Sequence, residues 1–148
     1  MKIIFNILSI SGSAMFAGVL LAIGVLLGGY WKSLPAQNFL NAFSNNSQFI
    51  PRAIVPVTVA ALVGLAGSIW LSWEEKDARI LWLWAAGCIV VLLIFTMVWF
   101  IPTNAQFAAK SIPIDQVPAK RDMWLMLHNF RIALAALASI LGVIAISR

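Results

Sequence analysis

Long apolar runs alternate with short polar stretches along this chain, and the alternation has a helical length scale. The runs cover about residues 7–29, 54–73, 80–101 and 123–146. Each is near the ~20 residues that a helix rising about 1.5 Å per residue needs to cross a hydrocarbon core of about 30 Å. The pattern predicts an all-α integral membrane four-helix bundle that forms a single transmembrane domain over residues 1–148. The opening "MKIIF" has the charge of a signal peptide. The apolar stretch behind it is too long for an h-region, so it is read as an uncleaved first helix.

The connections differ in character. "EEKDAR", residues 74–79, reads as a tight charged turn. The longer stretch at about residues 30–53 contains "KSLPAQNFLNAFSNNSQFIPR". Pro35 can open a helix there, and Leu40, Phe43 and Phe49 form an apolar stripe among Asn and Ser. This predicts a short amphipathic helix on the membrane surface, either a lid over a site or a simple anchor. Pro51 and Pro56 frame the start of the second membrane helix. In the other long connection, about residues 102–122, Pro102 predicts that the third helix ends or bends, and Asp122 is an N-cap for the fourth. Gly24 and Gly28 have the GxxxG spacing that lets a second helix approach closely, here read as intramolecular packing. Tyr30, Trp31, Trp70, Trp73, Trp82, Trp84 and Trp99 stand near segment ends, as belt or packing aromatics.

Composition agrees: 62% of residues are apolar and 10% charged, against about 25% charged in a soluble domain. The net charge of +5 does not indicate nucleic acid, because the basic residues sit at segment ends and in loops, where anionic lipid is the partner. Four crossings place both termini on one side. Lys32, Arg52, Lys110, Lys120 and Arg121 then face Lys2, Lys76, Arg79, Arg148 and the amino terminus across the membrane. That balance sets no orientation under the positive-inside rule. A bacterial inner membrane is the default location for a compact chain without organelle-type targeting. Cys88, the single cysteine, cannot form an intrachain disulfide.

The last apolar run carries the candidate chemistry. Trp124, His128 and Arg131 stand at i, i+4 and i+7, within about 60° of one another on a helix. An arginine near a helix centre costs about 2.5–3.5 kcal/mol to insert. No carboxylate lies in any apolar run: Glu74, Glu75, Asp77, Asp115 and Asp122 are all in connections. Arg131 therefore snorkels to the surface, pairs with Asp115 turned inward, or faces a polar cavity that receives an anionic or carbonyl-bearing ligand. For His128 a metal site is poor, because one His, one Cys and no intramembrane carboxylate do not make a ligand set. Haem ligated by His and Met is the remaining cofactor alternative. General base is the better role, since an imidazole titrates at about 6.5 when unperturbed.

"IPTNAQFA", followed by "WLMLHNFR", resembles the anthrone oxygenase-like family of small four-helix membrane proteins. The family pattern is Pro-x-Asn at the end of the third helix, then Trp-x-x-x-His-x-x-Arg entering the fourth. Here these are Pro102, Asn104, Trp124, His128 and Arg131. "FAGVLL" in the first helix and "LPAQNFLNAF" in the first long connection are also similar. The resemblance implies a planar aromatic or quinone-like ligand between the helices and cofactor-independent oxygenation. His128 would remove an acidic C–H proton while Arg131 and Asn104 stabilise the enolate oxygen. Trp124 and Arg52 are assigned to ligand binding. The expected partners are membrane lipid and a hydrophobic small molecule, with a homo-oligomer or larger membrane complex as a further option. The rival readings are a non-catalytic subunit or scaffold, and a lipid-, quinone- or haem-binding bundle.

Overall fold

The computed structural model describes residues 1–148 and contains helices without strands. We label them α1 (Lys2–Ser33), α2 (Ala36–Asn46), α3 (Ile50–Leu71), α4 (Lys76–Ala108) and α5 (Val117–Ala145). A 3-10 turn, Ser47–Phe49, joins α2 to α3. Four helical rods are long and apolar enough to cross a membrane, and the chain is a multi-pass membrane protein. Going round the bundle, α1 packs between α3 and α5, α4 packs on α5, and the α3–α4 seam is the thinnest of the four. Lys2 hydrogen-bonds Glu75 and shares a cleft with Ile146. Both chain ends and the α3–α4 turn thus meet at one end of the bundle, and α2 occupies the other.

Between helices in lipid there is no gain from hiding apolar surface, so close packing has to supply the attraction. Glycine makes that possible. A Cβ on Gly12 would fall 2.5 Å from the Ala61 backbone nitrogen, and one on Gly64 only 2.1 Å from that of Ser9. These contacts hold α1 against α3. The GxxxG pair serves α1 and α5 within the same molecule: Gly24 faces the His128 ring and Gly28 faces Leu125.

Several boundaries depart from the sequence expectation. Helix α5 starts at Val117, one and a half turns before the apolar run, with Pro118 in its first turn where no N–H is missed. Asp122 is inside the helix and is no cap. Helix α4 runs through Pro102 to Ala108, because a π-helical turn at Thr96–Phe100 immediately precedes the proline and accommodates its ring and missing N–H. Pro56 lies inside α3, not at its start. After α4, Lys110 takes a left-handed conformation with φ 53°. The Ser111 N–H then donates to the Gln106 carbonyl at 3.1 Å, which closes the helix end.

The amphipathic helix is present as α2, but its buried stripe is Phe39, Leu40 and Phe43, while Phe49 is exposed in the 3-10 turn. It packs onto the bundle: Trp31 lies 5.1 Å from Phe43, and Phe39 lies 5.0 Å from Phe107, between ring centroids. Trp31 is therefore a core residue under α2, as Trp82 is against Gly142 nearer the chain termini, and neither joins a lipid belt. Arg121, counted from sequence as a loop cation, is buried in α5. It donates to the carbonyls of Trp31 and Leu34, each at 2.8 Å. Those carbonyls are at the end of α1, where unpaired acceptors and the helix dipole favour a cation.

Candidate functional site

The polar stripe of α5 points into the bundle. His128 is 1% exposed and Arg131 4%. The imidazole stacks on Trp124 one turn earlier, with centroids 4.7 Å apart and planes 10° apart. Its Nε2 lies 2.8 Å from the Leu20 carbonyl of α1, and the absence of a side chain at Gly24 makes room for the ring. A carbonyl only accepts, so Nε2 carries the proton and donates it. Nδ1 is left as the basic nitrogen. Arg131 Nη1 approaches Nδ1 at 3.4 Å, a long and weak contact that a better acceptor can displace.

Arg131 has no carboxylate partner. The two ion pairs of the molecule are Lys2 with Glu75 and Arg121 with Asp122. Of the outlets open to Arg131, solvent is excluded by burial and Asp115 forms no pair with it. The guanidinium instead lies over the Phe100 ring at 4.2 Å, a cation–π contact worth about 0.5–2 kcal/mol, and its Nε has no hydrogen-bond partner. Arg131 lines a cavity of about 210 Å³ together with His128, Trp124, Asn104, Phe100 and Thr96. Asn104 is oriented there by Trp124: the indole Nε1–H donates to Asn104 Oδ1 at 2.8 Å. Indole is only a donor, so the amide oxygen must face it, and the amide N–H group remains as a donor near the cavity.

Both π-helical turns of the molecule border this space. Ile23–Leu27 in α1 supplies Ile23, and Thr96–Phe100 in α4 supplies Thr96 and Phe100. Such turns interrupt a helix and frequently mark functional positions. A second cavity of about 320 Å³ shares Ile50, Pro51, Ile101 and Asn104 with the first and extends to Ser47 and Gln48. Larger surface clefts exist, such as one of about 490 Å³ beside Trp70 and Glu75, but none has a buried charge in its wall.

The profile described as anthrone oxygenase matches residues 39–141, which is most of the chain. The chain belongs to the anthrone oxygenase family. No curated protein and no solved structure matches it. In this anthrone oxygenase family member the matched span contains Asn104, Trp124, His128 and Arg131. It begins after the α1 residues Leu20, Ile23 and Gly24 that complete the site.

Of the residues singled out from sequence, the fold brings Asn104, Trp124, His128 and Arg131 together. It does not bring Arg52, which is exposed and lies over the Phe49 ring at 5.2 Å, outside both cavities. The α2–α3 segment turns that side chain outward, over the Phe49 ring. Nowhere do three His, Cys, Asp or Glu side chains converge as metal ligands. His128 Nε2 is engaged by the Leu20 carbonyl and its ring face is covered by Trp124. Leu20 and Phe100 were missed. A backbone carbonyl leaves no trace in sequence, and Phe100 is one aromatic among many. Gly24 was legible as a close-approach residue, though not as the seat of the imidazole.

Proposed function

We propose that this protein binds a planar aromatic ketone or phenol in the cavity and oxygenates it without a cofactor. The observation that carries this reading is Arg131, a buried guanidinium with no carboxylate partner, in one wall with an imidazole whose basic nitrogen is Nδ1. A buried charge without a counter-ion is costly, and an oxyanion formed on a ligand offsets that cost.

In this reading the substrate carbonyl oxygen lies against Arg131 and the Asn104 amide N–H group. Nδ1 of His128 takes a proton from the methylene carbon conjugated to that carbonyl, and the electron pair delocalises onto oxygen as an enolate. The Leu20 carbonyl, by accepting from Nε2–H, holds the tautomer and stabilises the imidazolium that forms. The electron-rich anion passes an electron to dioxygen, and the radical pair combines at carbon to give a substrate peroxide. Heterolysis of its O–O bond, with loss of the second C–H proton, yields a new ketone and one water. Overall a CH2 group and O2 become C=O and H2O, so no external reductant enters. Trp124 and Phe100 supply flat apolar contact for the rings.

The test uses purified protein in lipid vesicles, with anthrone as substrate and oxygen consumption as readout. His128→Ala is expected to reduce the rate about 100- to 10,000-fold, the usual contribution of a general base, without lowering thermal stability by a comparable amount. Undiminished uptake would remove His128 from the mechanism. Tight anthrone binding with no uptake in the wild type would make the protein a ligand carrier, a reading favoured by the engagement of both imidazole nitrogens at rest.

A further inference from the structure

The proposed ligand has to reach a site that is walled in on most sides. Among the cavity-lining residues, His128, Arg131, Trp124, Phe100 and Ile23 are buried, and the exposed ones are Pro51, Val55 and Ile101. Those three sit on the facing edges of α3 and α4, where the bundle is thinnest. The end of the bundle nearer the site is shut where α2 covers it. Trp31, Phe39, Phe43 and Phe107 form a buried aromatic cap under α2, and the Arg121 guanidinium fastens α5 to the end of α1 behind it.

Resting on the functional reading above, we propose that the substrate is a membrane-dissolved planar aromatic ketone or phenol admitted sideways. It passes through the α3–α4 seam between Val55 and Ile101. The depth of the mouth fits that occupant. Val55 is three residues, about 4.5 Å along the axis, past the exposed cation Arg52. Long cations at helix ends reach for the headgroups, so Arg52 marks that level and the mouth opens just beneath it. Flat aromatic molecules with one polar edge concentrate at the same boundary, as Trp and Tyr do.

The mouth has matching chemistry. Val55 is 55% exposed and Ile101 57%, both apolar, and the neighbouring cavity extends along the seam to the polar side chains of Ser47 and Gln48. A ring system lying lengthwise would keep apolar contact with α3 and α4 while its outer substituent meets that polar rim. Behind the mouth waits the unpaired Arg131, 4% exposed. The 210 Å³ pocket is smaller than the ~300 Å³ at which drug-sized sites begin, so a three-ring molecule also occupies the seam. Residues 55 and 101 thereby influence which ring systems are admitted.

Association is measured by stopped-flow quenching of protein fluorescence when protein in phosphatidylcholine vesicles is mixed with vesicles preloaded with anthrone. Val55→Trp and Ile101→Trp narrow the mouth and are expected to slow association roughly tenfold, and to slow dissociation in parallel so that Kd changes little. Val55→Ala and Ile101→Ala widen it and are expected to speed both. Leu137→Trp, on the lipid face of α5 away from the seam, should leave the rates unchanged. Association unaffected by all four seam variants overturns lateral admission, as does a rate that follows the anthrone concentration in water and not in lipid. Should the tryptophan variants fail to fold, the alanine pair decides alone. Binding with unaltered rates defeats only the portal, whereas absence of binding to the wild type defeats the portal and the site together.

Discussion

The two ends of this bundle are built on opposite principles. Toward the chain termini, small residues bring backbones together: Gly12 against Ala61, Gly64 against Ser9, with Ser68 donating to Asn6 across the α1–α3 contact. Polar atoms there are hydroxyls and an amide, and no charge is buried. Toward α2 the core is made of rings (Trp31, Phe39, Phe43, Phe100, Phe107 and Trp124) and two arginines and a histidine are buried among them. Small residues give close contact and no space. Bulky rings and guanidinium groups hold helices apart, and space is what a ligand needs. The difference teaches that the protein is anchored at one end and hollowed at the other.

The sharpest way to break that contrast is Arg131→Met. If the hollow end serves chemistry, oxygen uptake should fall about 100- to 1,000-fold, the usual loss for one oxyanion donor. Thermal stability should hold or rise, since an unpaired buried charge gives way to a side chain that packs. A variant that unfolds while wild-type rates persist in its folded fraction would make Arg131 architectural. The complementary change is Gly64→Ala. Its Cβ would stand 2.1 Å from the Ser9 nitrogen, so α1 and α3 must part. Overpacking of this kind costs about 1–3 kcal/mol, and the melting temperature in detergent should drop accordingly. An unaltered melting temperature would show that the terminal end is looser than its contacts imply.

Trp124→Phe tests the join between the aromatic and polar parts of the site. Stacking on His128 is retained while the hydrogen bond to Asn104 is lost, so the amide is free to turn its oxygen inward. A rate loss of about tenfold with Kd for anthrone nearly constant is expected, corresponding to about 1.4 kcal/mol. Equal loss on removing the ring altogether, in Trp124→Leu, would deny the hydrogen bond any separate role. The smallest effect belongs to Gly24→Ala, whose Cβ would come 3.1 Å from His128 Cδ2. The imidazole has to shift by a few tenths of an ångström, and a severalfold fall in rate should result. Gly18→Ala, with nothing within 4 Å, is the matched control.

Much of this was readable in the residues. Apolar run length gave the four crossings, because a membrane permits only helices that satisfy their own backbone. The i, i+4, i+7 spacing placed Trp124, His128 and Arg131 on one stripe. Prolines are ambiguous signals: Pro56 reads as framing the start of a helix and Pro102 as an end or a bend, and both lie within helices. A proline shows that a hydrogen bond is missing, but not whether a wider turn such as Thr96–Phe100 takes up the strain. Arg52 and Arg121 looked alike as loop cations. The fold buries Arg121 on the α1 carbonyls and leaves Arg52 outside.

Hydrophobic run length and helical period are properties of one segment, so the sequence alone determined the class, the number of rods and the stripe that α5 offers. Which residues the stripe meets depends on how each rod is rotated about its axis and who its neighbours are. Those are set where glycines let backbones touch and rings refuse to. Only tertiary structure could deliver the Leu20 carbonyl to the imidazole, the Phe100 face to the guanidinium, and an opening between α3 and α4. Each joins atoms from helices far apart in the chain, and no periodicity within a single helix encodes such a meeting.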